Sequence, residues 1–152
     1  MIKDLLTLGF FKTNADKLLA SAYTCLGSNQ HDSIDKEVGC AESVSNVIKN
    51  VILSFSGSPS TGELYNLLSN SNLFIKVTNF QAGDIIISPT GINKNFNNPD
   101  MLNGHTGIVG INNNILSNNS ATGLFDIHYT IDSWVARYRT LGGYKIYFFR
   151  LK

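Results

Sequence analysis

Apolar residues recur at helical spacing in the first half of the chain and at strand spacing in the second. Leu18, Leu19, Ala22 and Leu26 share one helical face, and Gly27 is placed to stop that helix. Residues 27–39 are polar, with Asp32, Asp35 and Glu37, and read as a loop. From Cys40 the helical period returns: Val44, Val47, Ile48, Val51 and Ile52 form one stripe ending near Phe55. A turn-rich break over Gly57 to Gly62 leads to a short helix over Glu63–Leu68, with Thr61 as its cap.

The second half changes period. Phe74, Ile75 and Val77 begin it, and Asp84–Ser88 follows a Gly83 turn as a β-rich run. Pro99 to Gly104 closes a polar loop. His105–Ile111, Ile115–Asn118 and Tyr144–Leu151 read as strands, with Asn112 to Asn114 as a hairpin connection between the first two. Thr130–Tyr138 reads as a short helix carrying Trp134. Helices followed by an antiparallel sheet predict an α+β domain.

Composition narrows this picture. A chain of 152 residues suits one domain with one substantial core, and 43% hydrophobic content makes that core feasible. Twelve basic and 11 acidic residues leave a net charge of +1, so no broad field draws the protein to nucleic acid or acidic membranes. Arg137 and Arg139 read as solvated helix positions. Two cysteines, Cys25 and Cys40, do not make a disulfide scaffold and read as free thiols, compatible with a reducing compartment. Met1 to Leu6 carries Asp4 and lacks the apolar run of a signal peptide, and no stretch is apolar and long enough to span a bilayer. Asparagine is frequent, notably at 93–98 and 112–119; it suits turns and carries no functional weight by itself.

Three segments carry candidate chemistry. Gly39-Cys40-Ala41-Glu42-Ser43 puts a cysteine where a loop becomes an amphipathic helix. The helix dipole and unpaired amides there favour thiolate, the attacking form, and can hold an oxyanion. Gly104-His105-Thr106-Gly107 puts an imidazole at a strand start, able to take a thiol proton and return it to a leaving amine. His31 and His128 compete for that role. Ile115 to Ser120 offers Asn118, or its neighbour Asn119, to orient the imidazole from the next strand. Taken singly, each has an ordinary structural explanation: a buried small thiol, a backbone-bonded histidine, a turn asparagine. Cys25, Cys40, His31 and His105 form no paired-ligand pattern, so neither metal nor cofactor is expected. Asp84 serves the turn before its strand, Asp32, Asp35 and Glu37 belong to a solvated loop, and Trp134 and Tyr138 are core or helix-face aromatics.

Together, the cysteine-led helix, Ala82-Gly83-Asp84-Ile85-Ile86-Ile87 and His105-Thr106-Gly107-Ile108-Val109-Gly110 resemble the NlpC/P60 and CHAP superfamily of papain-like peptidoglycan hydrolases. Gly39 to Glu42, Ser117 to Gly123 and Gly142-Gly143-Tyr144 resemble small phage lysins and virion-associated hydrolases in particular. The chain departs from the usual pattern in the residues flanking the cysteine and in having asparagine where histidine often stands third. The resemblance implies a papain-like domain, with N-terminal helices packed on an antiparallel sheet. Its core would span about residue 35 to the C-terminus, and residues 1–30 would form a helical extension. It implies Cys40 as nucleophile, His105 as base and Asn118 as orienting residue; Glu42 suits the helix N-terminus as a first-turn carboxylate, and with a peptidoglycan substrate Glu42 and Thr106 would be substrate contacts. The implied reaction is amide hydrolysis through a thioester, by a stem-peptide endopeptidase or an N-acetylmuramoyl-L-alanine amidase. The implied partners are peptidoglycan peptide and other phage virion or lysis proteins. With no signal peptide, the protein would be made in the cytoplasm and reach the wall through a partner or in a phage particle. The alternatives are an amidase or transferase on another acyl substrate, and a non-catalytic structural or wall-binding module of a phage particle.

Overall fold

The computed structural model describes residues 13–31, 39–90 and 103–152. The N-terminal hexapeptide, the acidic residues Asp32, Asp35 and Glu37, the 93–98 asparagine run and the Pro99 turn lie outside the described residues. Helix α1 (Asn14–Thr24) starts at a capping box in which Thr13 and Asp16 satisfy each other's backbone N–H groups. Helix α2 (Cys40–Lys49) starts at Gly39, which supplies no side-chain cap. Helix α3 (Thr61–Asn70) is capped by Ser60, one residue before the expected Thr61. Helix α2 also stops short of the expected Phe55. Val51 N–H and Ile52 N–H both donate to Ile48 O, closing a turn. The apolar stripe nevertheless continues, because Val51, Ile52 and Phe55 pack on the same core from that turn.

Six strands follow: β1 (Phe74–Val77), β2 (Ile85–Ser88), β3 (His105–Val109), β4 (Asn114–Asn119), β5 (Leu124–Thr130) and β6 (Tyr147–Leu151). They form one antiparallel sheet in the order β1-β6-β2-β3-β4-β5. The β3–β4 hairpin turns on Asn112 and Asn113, both left-handed at φ 56° and 61°, a backbone that asparagine tolerates. Strand β6 begins at Tyr147 rather than Tyr144, whose N–H donates to Tyr138 O instead of joining a ladder. The sequence reading assigns no strand over β5, which buries only Phe125 fully and so lacks alternation.

Side chains alternate across the sheet and build a core on each face. Ile85, Ile87, Ile108, Leu116, Phe125 and Phe149 meet Leu18, Val44, Val47, Ile48, Leu64 and Leu68 of the three helices. Each such fully buried aliphatic stabilises the fold by about 1.5–3 kcal/mol. Ile86, Val109 and Ile115 face the other way, onto Trp134, Tyr138 and Tyr144. That second face is covered by α4 (Ile131–Trp134), which continues as π-helical turns over Val135–Leu141. The protein is therefore α+β, with helical layers on both faces rather than on one.

Asp84 is fully buried and forms a two-pronged bond with Arg150: Nε to Oδ1 at 2.8 Å and Nη2 to Oδ2 at 2.8 Å. Its Oδ2 also accepts from Gln81 N–H at 2.8 Å, so the Gly83-Asp84 turn is locked to β6. Among the described residues, no helix is long and apolar enough to cross a membrane.

Candidate active site

Cys40 is the first residue of α2, where the helix packs on β3 and β4. Its thiol is buried, and burial pushes it up to about 11. The backbone N–H groups of Ala41, Thr106 and Cys40 itself face the sulfur and draw that value back only in part. The Thr106 N–H is available for a topological reason. Val109 N–H donates to Asp84 O, and Gly83 N–H donates to Val109 O, so odd-numbered β3 residues turn their backbone groups towards β2. Thr106 therefore faces the β4 side, and β4 pairs with β3 only from Ile108 onward. The thiol sits at this split between the strands.

The thiol opens into a cavity of ≈ 200 Å³ lined by Pro59, Ser60, Thr61, Thr90, Asn103 and Gly104 as well as Cys40. A larger groove of ≈ 610 Å³ lies between the 54–58 loop and α3, away from the sulfur. The smaller cavity is the one that Cys40 lines.

His105 pairs with Ser88 across β2, and its ring belongs to the second core. It stacks on Trp134 at 5.0 Å and on Tyr138 at 5.7 Å, and meets the edge of Tyr129 at 5.7 Å. Burial pushes the imidazole down to about 3, with the positive charge of His128 and Arg137 adding to the effect. Near neutral pH both thiol and imidazole are uncharged. His105 Nε2 lies 3.2 Å from Ser117 Oγ. No hydrogen bond joins Cys40 and His105: α2, which carries the thiol, packs on the Leu116 face of the sheet, whereas the His105 ring stacks on Trp134 and Tyr138 on the other. The sulfur meets the backbone of the residue directly after His105.

The expected third residue is elsewhere. Asn118 is opposite Phe125, so it shares the helical face with Phe125 and Leu116, whereas Ser117 shares the face of His105 and Ile115. A one-residue step along a strand reverses the face. The parity of Ile115 and Ser117 was the sequence signal that could have found Ser117. Thr106, expected at the substrate, is fully buried, and its hydroxyl donates to Ile86 O at 2.8 Å; its contribution to the site is its backbone N–H. Glu42 lies half-buried in the first turn of α2. His128 is on β5, edge-on to Tyr129 at 4.5 Å. His31 is buried against Gly39, immediately before Cys40. Among the described residues, no cluster of histidine, cysteine or carboxylate side chains is arranged to hold a metal.

No family profile matches the chain, and no curated protein matches it in sequence. A solved structure does match in fold: a chain of the type VI native effector–immunity complex Tae3–Tai3 from Ralstonia pickettii. The TM-score is 0.57 at 18% identity, over 90% of this chain and 99% of that chain. At that identity the likeness is one of fold.

Proposed function

We propose that this protein is a cysteine-dependent amide hydrolase of the papain-like, NlpC/P60-like type, acting on bacterial peptidoglycan. One observation carries the reading: the Cys40 thiol stands at a helix N-terminus, faces the N–H groups of Ala41 and Thr106, and opens into a cavity that Gly104, the residue before His105, also lines. The fold shared with a chain of an effector–immunity complex agrees with it.

In this mechanism Cys40 Sγ attacks the substrate carbonyl as its proton passes to His105 through the gap between β3 and β4. Ser117 holds Nε2, which leaves Nδ1 to carry the proton. The tetrahedral oxyanion takes hydrogen bonds from backbone N–H groups at the start of α2. The imidazolium then protonates the departing amine as the C–N bond breaks, leaving a thioester. Water, deprotonated by His105, attacks the thioester, releasing the carboxylic acid and restoring the thiol. Because thiol and imidazole are both neutral at rest, substrate entry must accompany the proton transfer.

The scissile bond is either within the stem peptide or between the lactyl group and L-alanine. Delivery is by a phage particle or a lysis partner; the Tae3–Tai3 likeness adds a third route, as an effector held in check by an immunity protein. Digestion of purified peptidoglycan with product analysis tests the reading: new stem-peptide amines mark an endopeptidase, free lactyl groups mark an amidase, and inert walls of several types contradict both.

A further inference from the structure

We infer that His31 is a positioning residue for the Cys40 nucleophile, bracing the start of α2 against the β4–β5 turn; this rests on the reading of Cys40 as nucleophile. His31 is only 6% exposed, although its segment is otherwise polar. Its Nε2 lies 3.0 Å from Gly123 O. A carbonyl only accepts, so Nε2 carries the proton and, in the neutral ring, Nδ1 keeps the lone pair. That Nδ1 is buried and, among the described residues, has no hydrogen-bond partner. The fold accepts an unsatisfied nitrogen in order to keep the ring where it is.

What the ring holds is Gly39. A Cβ there would stand 2.7 Å from His31 Cγ and Cδ2 and 2.9 Å from Nδ1. Gly39 has φ −79°, which any residue adopts, so the need for glycine is one of space and the ring sets it. Gly39 gives α2 no side-chain cap, and its carbonyl accepts from Ser43 N–H at 2.9 Å. The ring takes over the work of fixing the helix start. The segment holding it is pinned on both sides: Asn46 Nδ2 donates to Gln30 O at 2.6 Å, and Phe125 N–H to Ser28 O at 2.9 Å. His31 thereby couples the helix that carries the thiol to the hairpin that carries Ser117.

The test is site-resolved alkylation with iodoacetamide, read by mass spectrometry, with the buried Cys25 as internal control. In His31→Ala the expected result is faster alkylation of Cys40 alone, while kcat on peptidoglycan falls about tenfold or more with KM little changed. His31→Gln, whose amide can donate to Gly123 O, should restore the wild-type pattern. Gly39→Ala should speed Cys40 alkylation in the wild type but not further in the His31→Ala background, where the Cβ has room. Equal acceleration at both thiols, no change at either, or a Gly39→Ala effect independent of His31 would each overturn the inference. Alkylation needs no turnover, so an inert response to peptidoglycan would count against the proposed function while this test still decides the role of His31.

Discussion

Ser117→Ala separates two accounts of how His105 is held. Ser117 Oγ, at 3.2 Å, is the partner of Nε2, and among the described residues the ring also meets the aromatic rings of Trp134, Tyr138 and Tyr129. Deleting the hydroxyl strands a buried imidazole nitrogen, at about 1–3 kcal/mol. In the resting protein the ring is neutral. In the proposed transition state it becomes an imidazolium, whose N–H needs the acceptor more. The cost therefore falls chiefly on the transition state and appears in kcat. At 1.36 kcal/mol per decade, Ser117→Ala should lower kcat about fivefold to a hundredfold, with KM nearly constant. Steady-state turnover of a soluble wall fragment measures this, and a thermal melt of each variant checks the fold. Asn118→Ala, on the opposite face, should leave kcat far less affected. Unchanged turnover in Ser117→Ala beside a large loss in Asn118→Ala would refute the reasoning and return the orienting role to asparagine.

Other outcomes follow from the same geometry. Arg150→Ala leaves the Asp84 carboxylate buried without its cation and should destabilise the protein by about 3–5 kcal/mol in denaturant melts; a cost below about 1 kcal/mol would contradict an uncompensated buried charge there. The His105 imidazole is held at about 3 in the fold against 6.5 when free, so the unfolded chain binds its proton first. Its stabilising contribution is complete above 6.5 and is lost as the pH falls towards 3. Between pH 6.5 and 5 the loss is about 2 kcal/mol, and His105→Phe should remove that part of the slope in urea titrations; an unchanged slope would contradict the buried neutral ring. At Gly104 a Cβ would collide with Ser88 O and lie 2.6 Å from Thr90 N, both backbone atoms that cannot swing aside. Gly104→Ala should therefore cost about 1–3 kcal/mol and displace the cavity rim, lowering turnover beyond what the melt explains.

The sequence discloses elements wherever one face is buried and the period is clean. The α2 stripe was legible for that reason, and the Ile85–Ile87 run, buried on both faces, as an unbroken β-branched run after the Gly83 turn. The end of α2 was not, because Val51 and Ile52 stay on the core after the helix has closed into a turn, and apolar period alone cannot tell these apart. Strand β5 was illegible because it is an edge strand with exposed Leu124, Asp126 and Ile127. Cys40 and His105 stood out by their settings. Ser117 did not, because asparagine drew attention and only strand parity, counted from Ile115, distinguishes the two neighbours. The bond between His31 and Gly123 spans 92 residues, and no local pattern encodes it. Asp84 announced its turn but not its partner, since Arg150 lies 66 residues away on β6.

The central claim is that Cys40 performs nucleophilic attack on a wall amide. The most direct measurement incubates wild-type protein and Cys40→Ala with purified peptidoglycan, analyses released termini by mass spectrometry, and checks both proteins by thermal melt. The account predicts new amine or lactyl termini with wild type, none with Cys40→Ala, and cooperative melting of both; equal product from a folded Cys40→Ala protein would contradict it.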